Sequence, residues 1–358
     1  MSLISNTSPS VIRRALHTAS GALVILATSQ ALAFDPIPQE SGVSGFINLG
    51  AGAARVESNF LASILNGNVD LSEEKNNSLS NSPDGETFGM PAVAFNLAYT
   101  FADTRTQIYF GPTLEDFLRF DMTTNMGIRQ ELSIGGTLDF SLTGTPIKTK
   151  VWRDPYLTDE SRSSTNRDTY GYKFSWDGIL NTGLEVQVSS REVEYDSENS
   201  GIANLDPNSG LPLTVDQIAL LDRNGNIDSI KIGYGLKTET AGLFKFSVSD
   251  IDHDLDGDAM SYDGILVEIN NAYSLNKRDS LVTNIAFGSF EYSENNPIFD
   301  ERADKDRIGF SMAFFRTQPF GIKGWVGNVS AVYYEEDSDI DFFDNKVTML
   351  NVGMIKRF

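Results

Sequence analysis

The sequence predicts an all-β fold, a transmembrane antiparallel β-barrel of about fourteen strands. Segments in which apolar and polar residues alternate recur from Gly42 to the end of the chain, as in strands with one apolar face. The links between these segments alternate between short and long. Short turns at one rim and long loops at the other are typical of outer-membrane barrels, with the turns in the periplasm and the loops outside.

The composition limits the class of protein. The chain has 358 residues, no cysteine, a net charge of −21 and a mean hydropathy of −0.21. After residue 33 no segment approaches the ~20 consecutive apolar residues of a membrane helix, which excludes a helical membrane protein. Such an acidic chain will not attract nucleic acid, so no nucleic-acid partner is expected. The absence of disulfides is compatible with a barrel closed by hydrogen bonds.

The amino terminus has the pattern of an export signal. Arg13 and Arg14 supply the basic region, residues 21–27 the apolar core, and residues 31–33 (ALA) the small-residue cleavage site. A buried helix is the alternative interpretation of the same residues. The signal interpretation predicts a signal peptide over residues 1–33 and a barrel domain over residues 34–358.

The alternation predicts an even number of strands, as single-chain bacterial barrels require when both chain ends lie on the same side. The predicted strands cover residues 42–57, 92–101, 105–112, 120–130, 135–144, 168–178, 182–194, 226–238, 241–251, 260–273, 279–292, 303–316, 324–335 and 345–358.

The links fall into two classes by length. The short links are residues 102–104, 131–134, 179–181, 239–240, 274–278 and 317–323. The long links, rich in Asn, Asp, Ser and Gly, are residues 58–91, 145–167, 195–225, 251–259, 293–301 and 336–344, and residues 111–119 form a link of intermediate length. A soluble sandwich gives no reason for this sorting.

The strand faces agree with a barrel. In the segment 226–238, Ile230, Ile232, Tyr234 and Leu236 share one face, and lysines and glycines share the other. This alternation fits a barrel in lipid or two packed sheets with a core between them. Trp325 and Tyr333 favour the barrel, because they lie on one face of one strand at a separation close to that of two aromatic girdles.

Five segments resemble a known family. They are residues 36–42 (PIPQESG), 99–107 (YTFADTRTQ), 114–121 (LEDFLRFD), 129–132 (RQEL) and 151–155 (VWRDP). These residues resemble the domain of unknown function 2860 family of predicted Gram-negative outer-membrane proteins. The resemblance covers the whole mature chain and implies a barrel in the cell outer membrane, but it implies no activity. The terminal Phe358 also resembles the last residue of outer-membrane barrels, which is read by the barrel-assembly machinery, although Lys356 departs from that pattern.

The inward faces of the predicted strands carry charges of both signs, which predicts a hydrated lumen. The candidate lumen-lining residues are Arg129, Asp139, Lys173, Asp177, Glu185, Gln187, Arg191, Lys231, Lys237, Lys245, Glu268, Asn270 and Arg307. The leading hypothesis is a passive, porin-like channel for small hydrophilic solutes. The alternatives are an ion-paired interior that conducts nothing, a surface receptor or adhesion barrel that acts through its acidic loops, and a transporter of hydrophobic compounds. Residues 58–91 are long enough to fold into the lumen.

One acidic motif has the spacing of a calcium loop. Asp252, Asp254, Asp256 and Gly257 are followed by Asp263 at the twelfth position. Calcium is therefore the one candidate ligand ion, and no other cofactor is predicted. An acidic, solvated hairpin loop is the alternative, because the twelfth residue is Asp where Glu is usual and the flanking segments read as strands.

The sequence gives little basis for catalysis, and we expect no enzyme. His17 lies in the signal, which leaves His253 as the candidate general base near neutral pH. No nucleophile motif or histidine cluster accompanies it. The expected partners are outer-membrane lipid, the barrel-assembly machinery and small solutes, and the sequence does not determine the oligomeric state.

Overall fold

The structure, a computed structural model, describes residues 36–64, 67, 69–112, 123–238 and 242–358. The predicted signal peptide, residues 1–33, lies outside the described residues. In the described part of the chain no helix is long and apolar enough to cross a bilayer. Its one α-helix, α1, covers only Val215–Ala219.

Fourteen antiparallel strands form a closed barrel, which confirms the predicted fold class. The barrel strands are β1 (Gly42–Glu57), β4 (Gly85–Phe101), β5 (Thr106–Pro112), β6 (Thr124–Glu131), β7 (Thr137–Gly144), β9 (Ser164–Asp177), β10 (Leu184–Tyr195), β11 (Gly225–Thr238), β12 (Gly242–Leu255), β13 (Tyr262–Ser274), β14 (Asp279–Tyr292), β15 (Lys305–Thr317), β16 (Trp325–Ser338) and β17 (Asn345–Arg357). The short strands β2 (Leu61–Ile64), β3 (Val69–Asp70) and β8 (Thr149–Trp152) lie in the long links.

The barrel closes between its first and last strands. β1 pairs with β17 from Phe46–Arg357 to Glu57–Lys346, and on its other side it pairs with β4. Phe358 extends this seam through two backbone hydrogen bonds with Gly45, of 3.0 and 3.1 Å. No edge strand is left unpaired at the seam, as spanning a bilayer requires.

The links sort onto two rims as predicted. Residues 102–105, 132–136, 178–183, 275–278 and 318–324 form short turns at one rim, here called the turn rim. Residues 58–64, 67, 69–84, 145–163, 196–224, 256–261, 293–304 and 339–344 belong to the connections at the opposite rim, the loop rim. The predicted link 111–119 lies outside the described residues except for Gly111 and Pro112, which belong to β5.

Several strands are longer than predicted at the loop rim. β4 begins at Gly85 where the prediction began at residue 92, and β9 begins at Ser164 where it began at residue 168. β12 continues to Leu255 and β16 to Ser338. In the sequence these extensions read as parts of links, because they contain polar residues and glycines typical of loops, such as Gly89 in β4 and Asp252 in β12.

The outer surface of the barrel is apolar. In β17, Leu350 and Val352 are 62% and 58% exposed, whereas Asn351 between them is 4% exposed. The same pattern recurs around the barrel and leaves Ile230, Ile232 and Phe310 exposed. These side chains face outward, so they do not form the core of two stacked sheets. A continuous apolar exterior is suited to contact with hydrocarbon.

Candidate functional site

The barrel interior contains two zones, a charged belt on the side of the turn rim and a cavity under the loops. All thirteen candidate lumen residues occupy inward-facing positions, as their parity with buried neighbours in each strand shows. Most of them line the wall formed by β6 to β13. Arg307, on β15, lies apart from them near the loops, and Lys237 is exposed close to the turn rim.

Ion pairs in the belt reach across intervening strands. Lys245 on β12 pairs with Glu185 on β10 and passes over β11, where its Cε lies 3.2 Å from the position that a Cβ of Gly233 would take. Lys231 on β11 pairs with Glu268 on β13 at 3.0 Å. Gly233 on β11 leaves the space that the Lys245 side chain needs to reach Glu185.

A second crossing occurs on β5 to β7. The hydroxyl of Tyr109 donates to Asp139 Oδ1 at 2.9 Å, and the Tyr109 ring lies over Gly127, whose Cβ would be 2.6 Å from it. Arg129 lies 3.9 Å from the same carboxylate and donates to Gln107 at 3.2 Å. The belt is therefore a network in which opposite charges neutralise one another along the wall.

The wall formed by β14 to β17, β1 and β4 carries smaller inward residues. They include Ala92 and Ala94, and Asn328 Nδ2 donates to Asn48 Oδ1 at 2.8 Å. Gly353 leaves the space for this asparagine pair, because its Cβ would lie 2.8 Å from Asn48 Oδ1. On the side of the turn rim, the described interior is thus charged along β6 to β13 and uncharged along β14 to β17, β1 and β4.

The loops fold over the mouth of the barrel and form a packed cap. This loop cap consists of residues 58–64, 69–84, 145–163, 196–224, 256–261, 293–304 and 339–344. Its core contains Tyr156, Leu221 and Phe342, which are fully buried, and it continues into inward-facing strand residues such as Phe290. Within the predicted link 58–91, β2 is fully buried and pairs with β8 in the cap, whereas residues 85–91 belong to the barrel strand β4.

Two arginines join the cap loops to one another. Arg223 donates to Glu198 at 2.6 Å and to the Trp152 carbonyl at 2.8 Å. Arg162 donates to the Asn59 carbonyl at 3.0 Å, and its guanidinium stacks 4.4 Å from the Trp152 ring. Burial lowers the pKa of Arg162 to about 10. These cations contact backbone carbonyls from distant segments, which fixes the loops relative to one another.

A cavity of about 200 Å³ lies directly under the cap. Its wall combines aromatic and cationic side chains, with one carboxylate. It is lined by Ser58, Phe60, Leu61, Arg167, Val193, Tyr195, Arg223, Ile227, His253, Leu255, Met260, Tyr262, Tyr292, Lys305, Arg307, Tyr334, Glu336, Phe343 and Asn345. Of the predicted lumen residues, only Arg307 belongs to this wall.

Glu336 is the one carboxylate of the cavity wall, and it accepts hydrogen bonds from several neighbouring side chains. Its Oε1 accepts from Arg307 Nε at 2.9 Å and from the Tyr334 hydroxyl at 2.8 Å. Its Oε2 accepts from Asn345 at 3.2 Å and lies 3.5 Å from Lys305 Nζ. Both oxygens of the carboxylate are therefore engaged.

The cations of the cavity also rest on aromatic faces. Lys305 Nζ lies 4.2 Å from the centre of the Tyr262 ring, and the Arg307 guanidinium lies 4.3 Å from that of Phe290. Arg223 is placed in the same way over Tyr195, at 4.5 Å. Ring quadrupoles stabilise a cation without cancelling its charge.

The acidic motif does not fold as a single loop. The predicted link 251–259 is wrong for residues 251–255, because β12 continues to Leu255 with Asp252 and Asp254 on its outward face, and right for residues 256–259. Asp263 is paired with Asp252 from β13, and Asp256 begins the turn. In the described segments no group of three His, Asp or Glu residues is placed to hold a metal ion. Calcium binding here stays a prediction from spacing.

His253 faces inward at the cavity. Its Nε2 is 2.9 Å from the Tyr262 hydroxyl, and the two rings stack at 4.0 Å. The imidazole therefore belongs to the aromatic wall of the cavity. The sequence indicated His253 as the candidate base. It did not indicate that Tyr262 on β13 packs against the imidazole, because that contact depends on the pairing of two strands.

The chain belongs to the family described as protein of unknown function (DUF2860), whose sequence profile matches residues 42–355. This confirms the family indicated by the sequence. A comparison with curated proteins finds no match.

Several solved structures are similar to this chain over most of its length. A FadL homologue of Pseudomonas aeruginosa is 8% identical, with 94% of this chain and 96% of that chain covered and a TM-score of 0.43. The outer membrane channel DcaP of Acinetobacter baumannii is 10% identical, with 89% and 97% covered and a TM-score of 0.43. A loop L8 deletion mutant of OmpT, an outer membrane protein of Vibrio cholerae, is 9% identical, with 89% and 99% covered and a TM-score of 0.40.

Proposed function

We propose that this protein is an outer-membrane channel that admits small hydrophilic solutes through the barrel interior. In this proposal the turn rim faces the periplasm and the loop rim faces the outside. The observation that carries the proposal is the charged belt on β6 to β13. A barrel of this strand number has more interior than side chains fill, and charges are retained there when water hydrates them.

The side chains of the belt are not fully enclosed, which supports a hydrated interior. Those of Lys231 and Lys245 each keep 13% exposure although both are ion-paired. Ion pairs that remain in contact with water can exchange partners with a passing solute at little cost. The belt would therefore act as a selectivity region of mixed charge.

The cap implies a restricted channel in place of a general pore. Its core closes the mouth with buried aromatic side chains, so entry requires a local opening of the loops. We expect small, intermittent conductance from the purified protein. A permanently open pore is not expected from this arrangement.

The deciding measurement is conductance in planar bilayers, with two matched variants in the belt. Lys245→Met leaves Glu185 without its cation and should favour cations, whereas Glu185→Gln should favour anions. One charge at about 10 Å in water changes the energy of a permeating ion by about 0.4 kcal/mol, with opposite sign for cations and anions, so each cation-to-anion permeability ratio should shift about fourfold. Silence of the wild type at all voltages and salts would overturn the channel.

The packed cap also favours a second candidate, a surface receptor or adhesion barrel whose interior stays blocked. In that case the loops themselves are the functional surface. Removal of residues 205–218, which keeps Glu198 and Arg223, should then abolish binding of whole cells to their target and leave permeability unchanged. We propose no catalytic role, and the oligomeric state is open in both candidates.

A further inference from the structure

We propose that the cavity under the cap binds a small organic anion with a flat apolar body, of which a single-ring aromatic carboxylate is the simplest. The proposal deepens the proposed function, since it names a class of solute for the same interior. Binding can nevertheless be measured without permeation, so the two proposals can fail separately.

The charge of the cavity is opposite to that of the chain. The protein has 49 acidic and 28 basic residues. The cavity wall nevertheless contains Arg167, Arg223, Lys305 and Arg307 against one acid, Glu336. This reversal places a local positive potential inside an acidic protein, which favours an anion in the cavity.

Carboxylates cancel only part of this potential: Glu198 pairs with Arg223, and Glu336 is the one acid among the wall residues. Glu336 is shared by Lys305 and Arg307, and both of its oxygens are already engaged. The remaining support for these cations comes from the faces of Tyr262 and Phe290. An entering carboxylate would therefore meet cations that keep capacity for a second acceptor.

Arg223 provides a second, independent observation. It lines the cavity, its side chain is only 3% exposed, and its Nε and Nη2 donate to Glu198 and to the Trp152 carbonyl. Its Nη1 is buried and has no hydrogen-bond partner among the described residues. A buried donor without a partner costs free energy, and a shift of the guanidinium that brings Nη1 to a ligand oxygen in the cavity would remove that cost.

The rest of the wall determines the body of the ligand. Phe60, Tyr195 and Tyr292 present aromatic surface, and Val193 and Ile227 present aliphatic surface. A cavity of about 150 Å³ holds one benzene molecule, so the observed volume of about 200 Å³ suits one ring with its carboxylate. A sugar would leave apolar surface unmatched, and a lipid chain would exceed the volume.

The test is calorimetric titration of the purified full chain with four probes. Benzoate should bind saturably with a Kd below about 1 mM, the weakest affinity that such a titration resolves well. Acetate lacks the ring, benzyl alcohol lacks the charge and benzylamine reverses it, so all three should bind at least tenfold more weakly. Equal binding of benzyl alcohol or benzylamine, or no binding of benzoate, would overturn the proposal.

Two cavity variants and one control variant test whether benzoate binds in this cavity. Lys305→Met should weaken benzoate binding at least tenfold, whereas Lys277→Met, at an exposed lysine of the turn rim, should leave it unchanged. Leu255→Trp narrows the cavity without changing its charge and should also weaken benzoate binding at least tenfold, which keeps the test decisive if Lys305→Met misfolds. Unchanged affinity in both cavity variants would refute the site. Benzoate binding without any conductance would refute the channel and keep the site.

Discussion

The two ends of the barrel interior hold their charges in different ways. In the belt, Lys245 and Lys231 pair with acids two strands away on the same wall, and a glycine on the middle strand makes room for Lys245. Under the cap, Lys305 and Arg307 share one acid and rest on aromatic rings. Each of these belt lysines thus has an acid of its own, whereas in the cavity two cations share one acid.

The belt and the cap also depend on different kinds of contact. The belt depends on local strand geometry, because each of its partners comes from a neighbouring or next-neighbouring strand. The cap depends on contacts between loops that are far apart in sequence, such as Asn59 with Phe342 at 3.0 Å. Changes in the cap should therefore alter opening and binding, and changes in the belt should alter selectivity and barrel stability.

The largest effect is expected from Phe342→Ala. Phe342 is fully buried between Tyr156, at 5.4 Å between ring centres, and Phe60, at 5.7 Å. Its removal should lower the free energy of cap opening by about 3–5 kcal/mol, because a cavity replaces a buried ring. Hydrogen exchange of the loop amides should accelerate strongly, and single-channel conductance should rise.

Phe320→Ala is the matched control for the cap variant. Phe320 is 96% exposed in a turn at the opposite rim, so its removal should change stability by less than about 0.5 kcal/mol. If Phe342→Ala shows the same amide exchange and conductance as Phe320→Ala and the wild type, the cap is not the barrier at the mouth.

A smaller effect is expected from Gly127→Ala in the belt. The new Cβ would lie 2.6 Å from the Tyr109 ring and would force it away from Asp139. Overpacking should cost about 1–3 kcal/mol in urea unfolding from lipid vesicles, with little change in loop exchange. Gly144→Ala is the control, because no atom lies within 4 Å of its Cβ position.

A double variant sharpens the same test. Tyr109→Ser should remove the clash, so Gly127→Ala should cost less in that background than in the wild type. An equal cost in both backgrounds would show that the Tyr109 ring does not fill the space over Gly127.

The smallest effect is expected from Asp154→Asn in the cap. Burial raises the pKa of Asp154, whose Oδ1 accepts from the amides of Tyr156 at 3.0 Å and Gly201 at 3.2 Å. A carboxyl with a raised folded pKa stabilises the fold at low pH, and this contribution is lost as pH rises through that value. Asn keeps both contacts without the charge, so cap exchange should slow slightly at pH 7 and match the wild type in acid.

Asp206→Asn in the same loop should act in the opposite direction. The Gln217 side chain and backbone amides lower the pKa of Asp206, so its ionised form stabilises the loop above the ordinary carboxyl range and this is lost as pH falls. Removal of the charge should accelerate local exchange at pH 7. A shift of the same sign in both variants would contradict the assignment of the two carboxyl groups.

The sequence was sufficient for the barrel and its two faces. Period-two alternation depends only on neighbouring residues, so β1 and β14 were predicted with the observed bounds. The thirteen inward positions follow from the same parity. The acidic motif was misread as part of a link because Asp252 and Asp254, two residues apart, satisfy both a calcium loop and one face of a strand.

The cap and its cavity could not be predicted in the same way. Tyr156, Arg223 and Phe342 lie in segments rich in polar residues, which read as solvated loops. Their burial results from contacts between residues far apart in sequence, such as Arg223 with Trp152 and Phe342 with Tyr156, for which local periodicity carries no signal. Only the aromatic residues scattered in these loops hinted that the segments pack.

The seam between β1 and β17 sets a condition on biogenesis. Its partners, such as Phe46 and Arg357, are separated by almost the whole chain, and pairings of that sequence distance form slowly. The cylinder therefore cannot be completed until the final hairpin has been delivered, and until then β1 presents an open edge. A chaperone or insertase that shields this first strand would have to stay bound until the last residues arrive.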